Sequence, residues 1–172
     1  MAKVKRKATG TGTSEIYTSS SRSMPVTSSE YNKITFWLGF STRASFHIVT
    51  DFDVVQLGQK GLTKKSVNAL ADNIGISRKS MAEDIFDVSV KTMERKSENA
   101  KLDKRISSHA VEIAKIVQHA FVIFGDNEKV KLWIGRENKA LNNMKPVQFF
   151  DTLTGLNMVN DILTRIEEGV YT

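Results

Sequence analysis

Residues 133–171 read W-I-G-R-E-N-K-A-L-N-N-M-K-P-V-Q-F-F-D-T-L-T-G-L-N-M-V-N-D-I-L-T-R-I-E-E-G-V-Y, from Trp133 to Tyr171. Trp133 is expected to act as a large anchor at a helix end, covering a bundle core. Asn138, Asn142 and Asn143 are turn formers whose side chains bond their own backbone, with Ala140 and Leu141 as an apolar pair under the turn. Pro146 suits the first turn of a short helix over 147–152, because its missing N–H is not needed there. A last helix beginning near Gly155 spaces Leu156, Val159, Leu163 and Ile166 at a period close to 3.6 and stops at Gly169.

Upstream the same periodicity continues. The longest helix is expected over about Ser107 to Phe124, with Ala110, Ile113, Ala114, Val117, Phe121 and Phe124 in one stripe widened by Val111, Ile116, Val122 and Ile123. A helix so widely apolar belongs in the centre of a bundle. Gly125 ends it, and Asp126 caps a helix over 128–134. From Lys64, residues Val67, Leu70, Ala71 and Ile74 recur at i, i+3, i+4 and i+7 before Gly75. Asp51 is a candidate cap for a helix over Val54, Val55 and Leu57 that stops near Gly58–Gly61. The apolar burst Ile34–Phe40 is too short to classify, and strand and helical turn both fit. Residues 1–33 are Ser/Thr-rich with few large apolar groups and are expected to be disordered when free.

With 10 Gly and 2 Pro in 172 residues, breakers are sparse, which suits an all-α fold. The expected organisation is a basic tail over 1–33, a helical region with a helix-turn-helix over 34–105, and a small C-terminal helical domain over 106–172. The absence of cysteine removes disulfides, thiolate nucleophiles and Cys-based zinc sites, and fits a cytoplasmic location. No apolar run reaches the ~20 residues that span a bilayer, so no membrane partner is expected. Residues 1–33 hold six Lys/Arg against two acids, 51–106 eleven against nine, and 107–172 seven against eight. Positive charge therefore lies in the tail and middle, and the sequence pI near 9.5 favours nucleic acid as a partner.

Chemistry of the catalytic kind finds little footing. His47, His109 and His119 are the only histidines. The latter two are ten residues apart on one helix, roughly 15 Å in rise, too far to share a metal. Asp151 and Asp161 have no nearby base, and phosphate-loop, dinucleotide, nucleophile-elbow and zinc-protease motifs are missing. No enzyme activity, metal or cofactor is expected.

Gly75–Lys96 has the layout of a helix-turn-helix: Ser77 caps a short helix carrying Met81, Ile85 and Phe86, Asp87 makes the corner, and Ser89 caps a second helix. Val90 and Met93 anchor that helix. Arg78, Ser89, Lys91, Thr92, Arg95 and Lys96 are then the candidate DNA contacts, Arg suiting guanine edges and Lys and Ser/Thr suiting phosphates.

From Trp133 onward the Trp, Asn-x-Ala-Leu turn, Pro-led helix and Gly155 helix resemble the C-terminal domain of the Xre/MbcA/ParS antitoxins. Weaker matches at Trp37-Leu38-Gly39, Gly61-Leu62 and the helix-turn-helix extend the resemblance over roughly 36–171. Glu137 stands where the family usually has Pro, and Asn142-Asn143 where it has Gly. The resemblance implies a homodimeric antitoxin of a type II toxin-antitoxin system. It would neutralise a RES-domain, NAD-consuming toxin and repress its own operon by binding operator DNA. Arg136, Asn138, Lys139, Leu141, Glu167, Glu168 and Tyr171 are then the candidate toxin contacts. The alternatives are a stand-alone helix-turn-helix transcription regulator without a toxin, or an interaction module that does not bind DNA.

Overall fold

A computed structural model describes residues 34–40 and 50–170; among them the regular structure is helical, joined by turns and loops that carry two isolated β-bridges. The tail over 1–33 and Tyr171 lie outside the described residues. The apolar burst at 34–40 resolves into a helical turn over 34–37. Trp37 is buried at its centre, its Nε1 donating to Gln118 Oε1 at 2.9 Å. The Asn73 amide donates to the carbonyls of Phe36 and Trp37, tying off the end of the turn.

Helix α1 runs Asp51–Lys60. Its cap is Thr50 and not Asp51: Thr50 is extended, its hydroxyl oxygen accepts from the Asp53 N–H, and its own N–H donates to the Asp53 carboxylate in return. That reciprocal pair satisfies two otherwise orphaned donors, an arrangement Asp51 inside the first turn cannot make. Helix α2, Lys64–Ile74, is capped by Thr63 and ends at left-handed Gly75, burying Val67, Leu70, Ala71 and Ile74 as their spacing requires.

Helix α3 begins at Ser77-capped Arg78–Ser80 and widens into a π-helical turn over Met81–Ile85. Asp87 takes the corner with φ 53°, a left-handed position that Asp tolerates better than most side chains. Helix α4, Val90–Glu94, is capped by Ser89 and buries Met93, with Val90 packed partly against the core. The following segment pairs back on the start of α2, Leu102 N–H donating to Leu62 O and Lys64 N–H to Ala100 O.

Helix α5 runs Lys104–Phe124. It starts three residues before Ser107 because Asp103 supplies the cap to the Ile106 N–H. Ser107 is fully buried instead, its Oγ accepting from the Leu62 N–H. The helix packs on α1 along one side and on the last helix along another, so one continuous core joins the N- and C-terminal halves. Closeness to α1 rests on Gly58, where a Cβ would meet Ser108 Oγ at 2.7 Å. The division expected between residues 105 and 106 falls inside α5.

Helix α6, Asn127–Gly135, is capped by Asp126. Two single 3₁₀ turns follow, Lys139–Leu141 and Pro146–Phe149, the second ending earlier than the 147–152 helix expected. Helix α7 is Leu153–Glu167, starting before Gly155 because Thr152 caps it by accepting from the Gly155 N–H. Gly155 is an inner first-turn residue with a packing role, since a Cβ there would run into the Phe149 carbonyl.

Candidate functional site

The C-terminal surface is built on the turn that links α6 to α7. Asn138 Oδ1 accepts from the Ala140 N–H, and the Asn138 N–H bonds Met144 O, closing the loop across its base. Asn142 and Asn143 follow with φ 53° and 61°. Two successive left-handed residues explain why a pair of asparagines serves in place of a glycine. Leu141 is 2% exposed and supports the turn from within, whereas Ala140 is exposed, so the expected apolar pair is a single buried leucine.

Trp133 is half-buried. It rests against Phe124 with ring centroids 5.6 Å apart, and the fully buried indole of the fold is that of Trp37. Phe124, Lys129, Leu132, Trp133, Arg136, Glu137 and Asn138 line a hollow of about 340 Å³. Of the expected contacts in this region, Arg136 and Lys139 are exposed and Asn138 is partly buried at the hollow's rim. Glu167 and Glu168 lie apart, at the end of α7. Glu167 Oε2 sits 3.2 Å from His119 Nε2, and His119 Nδ1 is 2.8 Å from Asn160 Oδ1, so this histidine joins α5 to α7. Glu168 is exposed. Sequence reasoning passed over Lys129 and Leu132. The signal was present in part, because Lys129, Leu132 and Trp133 follow i, i+3, i+4 on one face of α6, with Arg136 extended just past its end.

The helix-turn-helix surface divides its cations into two groups. Arg78 is exposed but held by Asp72 at 2.8 Å, and the hydrogen bond and charge of that carboxylate raise its pKa further above the ordinary arginine value. Lys79 stands 3.8 Å from Glu83, and Lys64 bridges Glu98 while donating to Lys96 O. Lys91, Arg95 and Lys96 are exposed and show no ion pair among the described residues. The Ser89 and Thr92 hydroxyls are 2.9 Å apart, and Ser89 Oγ also caps the helix. Their side chains are therefore partly committed to α4 itself.

His109 links the two surfaces. Its ring meets Phe86 edge-on at 5.7 Å, and its Nε2 lies 2.6 Å from the Phe150 carbonyl, which makes Nε2 the protonated nitrogen of that bond. Arg105 donates to Phe86 O from the same helix. Among the described residues no cluster of His, Asp or Glu is arranged to hold a metal ion, and no helix is long and apolar enough to cross a membrane.

Residues 119–169 match the family described as antitoxin Xre/MbcA/ParS C-terminal toxin-binding domain. The matched segment takes in the end of α5, all of α6, the Asn138 turn and α7, and every residue lining the hollow falls inside it. No curated protein matches the chain.

Proposed function

We propose that this chain is the antitoxin of a type II toxin-antitoxin pair, acting as a homodimer. It covers a RES-domain, NAD-consuming toxin with residues 119–169 and represses its own operon through α3 and α4. The observation that carries the reading is the match of 119–169 to a toxin-binding domain. The Asn138 turn, Arg136 and Lys139 form one contact region, and Glu167, Glu168 and Tyr171 form a second that reaches over the toxin's cofactor pocket. Anionic side chains there complement a pocket built for the phosphates of NAD. Operator binding is supported by the exposed cations Lys91, Arg95 and Lys96, free of ion pairs among the described residues and gathered on α4 and its end, while the acids Glu83, Asp84 and Asp87 of the unit lie on α3 and the corner.

Co-expression with the product of the neighbouring reading frame tests the reading. The expected result is a stable complex, recovered growth and restored NAD levels. A neighbouring product that neither binds this chain nor harms cells leaves the stand-alone regulator as the better account.

A further inference from the structure

The hollow beside Trp133 has a composition that selects its occupant. Phe124, Leu132 and Trp133 form its apolar wall, and Leu132 is 49% exposed, so a large aliphatic side chain is held in water. Lys129 and Arg136 stand at its rim, exposed and without an ion pair among the described residues, in contrast to Lys131 beside them, which Glu128 neutralises at 2.8 Å. Asn138 commits its Oδ1 to the Ala140 N–H, which leaves its amide N–H₂ as a further donor. Glu137 is the one carboxylate in the lining. Donors thus outnumber acceptors around an apolar wall. At about 340 Å³ and open to solvent on one side, the hollow is at the lower end of small-molecule sites but suits one or two protein side chains. A half-buried tryptophan flanked by an arginine is also the composition of interface hot spots.

We infer that this hollow receives an acidic segment of the neutralised partner, one carrying an apolar side chain next to a carboxylate. The inference rests on the antitoxin reading and assigns to the Trp133 face an anchoring role separate from that of the acidic end of α7. The carboxylate takes the Arg136 fork and Lys129, and the neighbouring side chain covers Leu132 and Trp133.

The test is titration of the purified product of the neighbouring reading frame into the full-length chain and its variants at two salt concentrations. Arg136→Glu is expected to weaken binding about tenfold to thirtyfold, the scale of a hot-spot loss. Lys129→Ala should weaken it less and flatten the salt dependence. Glu137→Gln should strengthen it, because an acidic occupant is relieved of repulsion. Leu132 and these three residues are surface positions, and an unchanged melting profile for each variant separates lost contact from lost fold. If the wild-type chain does not bind that product at all, the antitoxin reading and this inference fall together. If it binds and all three variants bind equally well, the hollow is ruled out while the antitoxin reading stands. If instead Arg136→Glu strengthens binding and Glu137→Gln weakens it, the occupant is basic and the inference is overturned. It is also overturned if the variants alter only self-association of the chain, which assigns the hollow to a second copy.

Discussion

At the scale of single residues, two positions carry more of the fold than their side chains suggest. Gly155 lets the first turn of α7 lie directly on the Phe149 carbonyl, with Thr152 capping from the same corner. Gly155→Ala is expected to cost about 1–3 kcal/mol through overpacking, read as a shift of the denaturant midpoint at unchanged slope. Trp37 and Gln118 form the second case. Gln118 is 3% exposed, its Oε1 accepts from the indole, and its Nε2 has no partner among the described residues. Trp37→Phe leaves both ends of a buried amide unsatisfied and should destabilise by about 1–3 kcal/mol. Adding Gln118→Leu should recover part of that loss, because the orphaned polar group goes with it. A double-mutant cycle in thermal unfolding checks both statements. Neither contact is legible in the sequence. In the sequence Thr152 and Gly155 bracket a tight helix-helix corner, but the carbonyl that Gly155 must clear does not show, and a buried Trp–Gln bond spans 81 positions of sequence.

At the scale of elements, caps were the most legible feature, since they are local chemistry. Ser77, Ser89 and Asp126 were read as caps from their positions alone, and each accepts from the N–H three residues on. Thr50, Asp103 and Thr152 were missed, although each is an ordinary capping type placed one to four residues ahead of the assumed start. Apolar periodicity does not reach these starts, because a polar first turn such as Lys104-Arg105 carries no apolar signal. The π-helical turn over Met81–Ile85 also left no mark in the sequence. For α4 the free cations make a sharp expectation on the proposed reading: Lys91→Ala with Arg95→Ala should weaken operator binding by ~2–5 kcal/mol if one contact is to a base and one to phosphate. Arg78→Ala should do less, because Asp72 already occupies that guanidinium. Mobility-shift titration of the double variant and of Arg78→Ala ranks them, and equal losses would place Arg78 on the DNA as well.

At the scale of the whole molecule, α5 is shared. It buries one side under α1 and another under α7, and through His109 it touches both the end of α3 and the carbonyl before α7. Truncation after Ile166 removes Glu167, Glu168 and Tyr171 but only one side-chain bond described to the core, that of Glu167 with His119. The truncated chain should therefore keep its melting midpoint within a few degrees and keep its operator affinity, yet protect poorly against the co-expressed toxin. Growth and NAD content of co-expressing cells provide the readout. Full protection would move the blocking role to the Arg136–Leu141 turn.

The sequence by itself determined the all-α class, the position of most helices and the character of the C-terminal motif. Helix periodicity, caps and turn-forming asparagines act within a few residues and so are written in order along the chain. Tertiary structure alone decided which tryptophan is buried, because Trp37 and Trp133 are equally apolar and only packing distinguishes a core from a rim. It also decided which cations are free. Arg78 and Arg95 look alike in sequence, but Asp72 lies within reach of Arg78 across the α2–α3 turn. The hollow at Trp133 belongs to the same class, made when the Asn138 turn folds back beside the end of α6 and leaves Leu132, Lys129 and Arg136 facing water.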